Sequence, residues 1–227
     1  MPLRFAAALL AAALPWPAFA AGPQPYALDP VHTRVLFAVD HAGFSRALGT
    51  VSGSAGTLWF DPQDWRSARL EVSVPLQRLD LGDEHWNRAA LAPALLDAKR
   101  HPQARFVSRQ VEPVDAGRAR VCGELTLRGA TGPLCLDVTL NALKRHPLPP
   151  FRRTAGFSAT ATLSRAAFGI DAWKNVIGDR VELRIEAEAV RMRADDAAAG
   201  AAAPTPEPRP AAPAAEPPAE PEPEPTR

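Results

Sequence analysis

Between Val31 and Asp40 the side chains change character at every step. Val31, Thr33, Val35, Phe37 and Val39 fall on one side of an extended chain; His32, Arg34, Leu36, Ala38 and Asp40 fall on the other. A period of two marks a strand with one buried face. The pattern returns in Val121, Leu125 and Leu127 against Glu124 and Thr126, and in Leu134, Leu136, Val138 and Leu140 against Cys135, Asp137 and Thr139. Val181, Leu183 and Ile185 against Glu182, Arg184 and Glu186 repeat it near the end. Segments 31–40, 46–60, 67–76, 103–113, 117–128, 133–143, 154–164 and 180–192 read as about eight strands. Short Gly-, Pro- and Asp-rich turns join most of them, so neighbours should pair antiparallel. The exception is 77–102, where Asp83 is a candidate N-cap, Leu91, Leu95 and Leu96 are candidates for an apolar helical face, and Pro93 interrupts. The expected class is all-β: an eight-stranded antiparallel closed barrel, which leaves no sheet edge, with a short helical insertion.

Both ends of the chain differ in composition from this middle. Residues 1–20 carry Arg4, an apolar run from Phe5 to Leu14 and Ala18-Phe19-Ala20. That is the layout of a cleavable secretion signal, too short to span a bilayer, and it predicts an exported, periplasmic protein in an oxidising compartment. Residues 194–227 are nearly all Ala, Pro and Glu, with ten prolines, and are expected to be disordered because they cannot bury enough apolar surface. Seven acids against Arg209 and Arg227 give this tail a net charge of −5, and the core, residues 21–193, a charge of +5. The whole chain carries only +1, which supplies no general field for gripping nucleic acid.

Eight strands enclose an interior that is either filled by side chains or holds one slender ligand. Gly49, Ser52, Gly53, Ser54, Ala55 and Gly56 are too small to fill it from their wall, although such glycines also mark bends. The expected ligand-binding lining is Phe37, Val39, Leu58, Phe106, Leu125, Leu136 and Phe157, with an aromatic from Trp59 or Trp173. His41 shares the face of Phe37 and Val39 and could donate to a ligand oxygen, while His32 lies opposite and reads as structural. No HxH, HExxH or CxxCH pattern is present, so neither a metal site nor covalent haem is expected, and no nucleophile or acid–base set points to catalysis. Lys144, Arg145, Arg152 and Arg153 form a basic loop. If Arg128 pairs with Pro133, Cys135 opposes Thr126 and Cys122 lies about 13 Å away along the strand, so no disulfide is expected.

Asp29-Pro30-Val31-His32-Thr33, followed by His41 and Gly43-Phe44-Ser45, resembles the opening motif of the YceI-like family of periplasmic polyisoprenoid-binding proteins. The likeness continues through Leu58-Trp59-Phe60-Asp61-Pro62, Leu79-Asp80-Leu81-Gly82, Gly123 to Thr131, Phe157-Ser158-Ala159 and Ser164-Arg165-Ala166-Ala167-Phe168-Gly169-Ile170. It implies a lipocalin-like barrel whose elongated apolar pocket takes an isoprenoid, quinone or acyl lipid without any further cofactor. The insertion departs from the family pattern: Trp86-Asn87-Arg88-Ala89-Ala90 stands for Arg-Asp-x-His-Leu, and Leu95-Leu96-Asp97 for Phe-Phe-Asp. This variant is similar to members that accompany membrane cytochromes of the b561 type, which implies a quinone-linked alternative with such a cytochrome as partner. The sequence specifies no oligomeric state.

Overall fold

The computed structural model describes residues 22–193, so the readings of a secretion signal and a disordered tail lie outside the described residues. Eleven strands run β1 (Gln24–Leu28), β2 (Arg34–His41), β3 (Ser45–Ser52), β4 (Ala55–Phe60), β5 (Arg69–Pro75), β6 (Leu79–Asp80), β7 (Gln103–Asp115), β8 (Arg118–Leu127), β9 (Ala130–Arg145), β10 (Arg153–Ser164) and β11 (Ile177–Arg191). One helix, α1 (Glu84–Leu91), and three single turns of 3-10 helix complete the elements.

The eleven strands make eight staves. β1, β4, β5, β7, β8, β9, β10 and β11 close a ring of antiparallel pairs, because β11 bonds both to β10 and, through Leu28↔Ala189, to β1. β2 continues β1 along the same edge of β11, from Glu186↔Arg34 to Ile177↔His41. β3 and β4 are one long stave broken at Gly53, whose φ is 78°, and Ser54. β5 and β6 are likewise one stave interrupted by the turn Leu76–Arg78. The predicted segment 46–60 is therefore a single wall, as the sequence reading had it, with the break at its glycine. β1 and β6 were not anticipated: β1 is five residues with Pro25 inside it, and β6 is two residues long.

Gly53 marks the bend that such glycines were expected to allow, and Gly49 and Gly56 have another use. They permit close approach rather than opening space: a Cβ at Gly49 would collide with the Phe37 ring, and one at Gly56 with the Glu71 carbonyl.

The expectation of no disulfide is overturned. Cys122 and Cys135 are directly opposed on β8 and β9, with Cα atoms 4.0 Å apart, and are bonded. The hairpin turns on two residues, Arg128 (φ 51°) and Gly129 (φ 79°), so Leu127 pairs with Ala130 and every later pair shifts from the register assumed. Arginine is a poor occupant of left-handed backbone. Here its guanidinium bonds to the Gly169 and Pro93 carbonyls, contacts made far away in sequence that offset the local strain.

The Asp29–Thr33 segment between β1 and β2 is held by the Asp29 carboxylate, which accepts from the backbone N–H groups of Val31 and His32 and from the His32 ring. Burial alone would raise the Asp29 pKa; the His32 contact and those backbone donors outweigh it and leave it below the ordinary value. The same carboxylate raises the pKa of His32.

Replacing both cysteines by serine should lower unfolding stability by about 3 kcal/mol, measured by denaturant titration, with no free thiol detectable in the unreduced wild type. The His32 ring should titrate by NMR above its ordinary 6.5, and Asp29→Asn should bring it down. Because the folded pKa is the raised one, this contact stabilises fully below the unfolded value and is lost as pH rises through the folded value.

Candidate functional site

The ring encloses a cavity of about 740 Å³. Period-two alternation supplies its wall: Val35, Phe37 and Val39 from β2, Leu125 from β8, Leu136 from β9, Leu183 and Ile185 from β11 all turn inward. The two poles of the barrel differ. At the lower pole, where β1 begins and β4 and β11 end, Phe60 is 1 % exposed and packs edge-on against Trp65 at 5.0 Å and Phe157 at 5.6 Å. This aromatic cluster forms a floor. At the upper pole, where β2 ends and β11 begins, the lining residues Trp86 and Trp173 are exposed to solvent, Trp173 by 65 %. That pole is the mouth.

All nine residues singled out from the sequence lie on this one surface. Phe37, Val39, Leu58, Phe106, Leu125 and Leu136 line the barrel body, Phe157 stands against the floor cluster, and His41 and Trp173 stand at the mouth. Trp59, the other aromatic considered, does not contribute. His41 and Trp86 form a tilted ring pair with centroids 5.3 Å apart. The basic loop around Arg145 and Arg152 joins β9 to β10 at the floor end, remote from the mouth.

The mouth is built by the insertion and by the β10–β11 connection. Asp83 caps α1 by accepting from the Trp86 N–H at 3.0 Å, and the helix stops before Pro93. Asp80 accepts from the Gly82 N–H and the Asn87 amide, which hold its pKa below the ordinary carboxylate value, while Asn87 accepts from the Leu81 N–H. α1 is thereby fixed to the end of β6. Beyond it Leu95 and Leu96 turn into the cavity, although they follow the helix rather than belong to it. Arg128 ties this insertion, at Pro93, to the opposite rim, at Gly169.

Sequence reasoning missed Arg165 as a wall residue. It is 5 % exposed and lines the upper cavity. Its guanidinium donates to four backbone carbonyls, Gly178, Ile170, Ala172 and Ile177, at 2.7 to 2.9 Å. The charge is thus held by carbonyl dipoles that it gathers from the loop around it. The Asp179 carboxylate accepts from Ser164 and the Ala166 N–H, which lower its pKa and close the same loop at its base. Trp65 and Trp86 were also missed, the first because it sits in a 3-10 turn outside every strand, the second because it lies on the remodelled insertion.

One grouping of histidine and carboxylates occurs among the described residues, Asp29, His32 and Glu188, with candidate ligand atoms within 4.8 Å of one another. Asp29 and His32 already satisfy each other there.

The model of the YceI-like domain matches residues 26–189 of this chain. A UPF0312 protein of Pseudomonas putida (strain W619) is 34% identical over 167 residues, covering 71% of this chain and 83% of the relative. A UPF0312 protein of Pseudomonas savastanoi is 32% identical over 139 residues, covering 61% and 71%. Among solved structures, Burkholderia cenocepacia BcnA superposes with a TM-score of 0.63 at 22% identity, covering 71% of this chain and 98% of that one. A polyisoprenoid binding domain from Saccharophagus degradans, implicated in plant cell wall breakdown, gives 0.56 at 14% identity, covering 74% and 98%. These two likenesses are of fold. The chain belongs to the YceI-like family.

Proposed function

We propose that this protein binds one long-chain lipid of isoprenoid type in the barrel cavity and carries it through an exported, oxidising compartment. The observation that carries this reading is the continuous apolar cavity of about 740 Å³, closed by the Phe60 cluster and open beside Trp173. A cavity of this size and lining suits a slender hydrophobic guest. Ten buried methylenes at about 0.8 kcal/mol each amount to about 8 kcal/mol, or roughly micromolar binding before entropic losses. Desolvation is enough; no nucleophile or metal is needed. The Saccharophagus degradans domain, described as polyisoprenoid binding, supports the choice of guest through a shared fold. The Cys122–Cys135 bond supports an oxidising location, since apposed thiols stay reduced in the cytosol.

A quinone guest is the second reading, favoured by the His41–Trp86 ring pair at the mouth, where a polar aromatic head would come to rest while its prenyl tail filled the barrel. The b561-type partner belongs to that reading.

Organic extraction of the purified protein followed by mass spectrometry should recover a prenyl or similar long-chain lipid, and its head group separates the two readings. Ala159, on the cavity wall in β10, offers a blocking position. Ala159→Trp should lower the lipid recovered per protein by about tenfold or more, equivalent to about 1.4 kcal/mol. Undiminished recovery from a folded A159W protein would contradict the cavity as the site.

A further inference from the structure

We propose that the open pole docks on a phospholipid bilayer by inserting an aromatic crown, with the mouth facing the membrane and both ends of the described chain facing away. This rests on the carrier reading above and adds where the lipid is exchanged.

The crown draws on three separate elements. Phe44, at the tip of the β2–β3 turn, is 92 % exposed; Trp173 projects from the loop before β11; Trp86 projects from α1. The two tryptophans also line the cavity, so the exposed apolar surface is continuous with the interior. The crown is pre-organised. The Ala42 N–H donates to the Val176 carbonyl, joining the β2–β3 turn to the Trp173 loop, and the Val176 and Ile177 N–H groups donate to the Trp173 carbonyl. Trp173 itself sits at φ 60°, a left-handed conformation unusual for a bulky residue, with its side chain exposed.

Three ion pairs stand at this pole, Lys174 with Asp171, Arg88 with Glu84 and Arg46 with Glu182, while Arg128 and Arg165 there spend their donors on backbone carbonyls. Paired charges of this kind exert little pull on anionic head groups, and the exposed aromatics supply apolar insertion at the interface. The other pole has the opposite character. Arg145 faces Arg153 across β9 and β10, the neighbouring strand ends at Arg191, and none of the three has a carboxylate partner among the described residues. Directly opposed like charges repel, which makes that pole the competing, charge-driven candidate for a membrane. Yet the segment 194–227, with its net charge of −5, is attached there, immediately after Arg193.

The test is co-sedimentation of the full chain with vesicles of phosphatidylethanolamine and phosphatidylglycerol, at low salt and at about 0.5 M salt, where screening reduces charge attraction to a few ångström. Wild type should bind under both conditions, Phe44→Ser should reduce partitioning by about tenfold, and the double change Arg145→Gln, Arg153→Gln should leave it unaltered. Phe44 lies outside the cavity lining, so F44S should take up a fluorescent prenyl alcohol in vesicle-free buffer as wild type does. Docking by the crown is overturned if wild type takes up that probe but ignores vesicles, if F44S partitions like wild type, or if salt or R145Q/R153Q abolishes binding. Failure of wild type to take up the probe would instead contradict the carrier reading.

Discussion

Everything in this molecule depends on a hydrogen-bonded ring that closes without filling its own centre. β11 is the keystone, because it is long enough to bond β10 on one side and, end to end, both β1 and β2 on the other. Closure pairs both sides of the ring strands, while β6, bonded only to β3, leaves an edge at the mouth half. It also turns one half of the alternating side chains toward a shared axis, where eight staves leave room that side chains can fill or leave for a guest. Here the aromatic cluster of Phe60, Trp65 and Phe157 fills one end, and the rest of the axis is open.

The mouth is maintained by two arginines used in an uncommon way. Arg165 and Arg128 both spend their guanidinium donors on backbone carbonyls, the former gathering the 165–178 loop and the latter bridging that loop to the insertion. Neither contact is visible as a charge pair. Both rigidify irregular backbone at the one place where the barrel must stay open.

Much of this was legible in the sequence, because strand alternation is a local signal. Val31, Thr33, Val35, Phe37 and Val39 are assigned to one face from their spacing, and the structure places the last four on the cavity wall, while Val31, before the start of β2, is exposed. What failed were features fixed at long range. Pairing Arg128 with Pro133 puts the turn at residues 129–132, whereas the chain turns on Arg128-Gly129, with the arginine at positive φ and bonded to the distant Pro93 and Gly169 carbonyls. That one misjudged turn moved the register and hid the Cys122–Cys135 bond. Trp86 was hidden for a related reason: its packing on His41 depends on where an insertion folds back, and no periodicity encodes that.

The central claim is that a chain-like guest lies along the barrel axis. A ¹³C-labelled prenyl alcohol titrated into methyl-labelled protein tests it through intermolecular NOEs. The account predicts contacts to Val39 near the mouth and to Leu58, Leu125 and Leu136 within the barrel, all saturating together. Contacts confined to exposed residues such as Leu148 or Val114, or none at all from a folded protein, would contradict it.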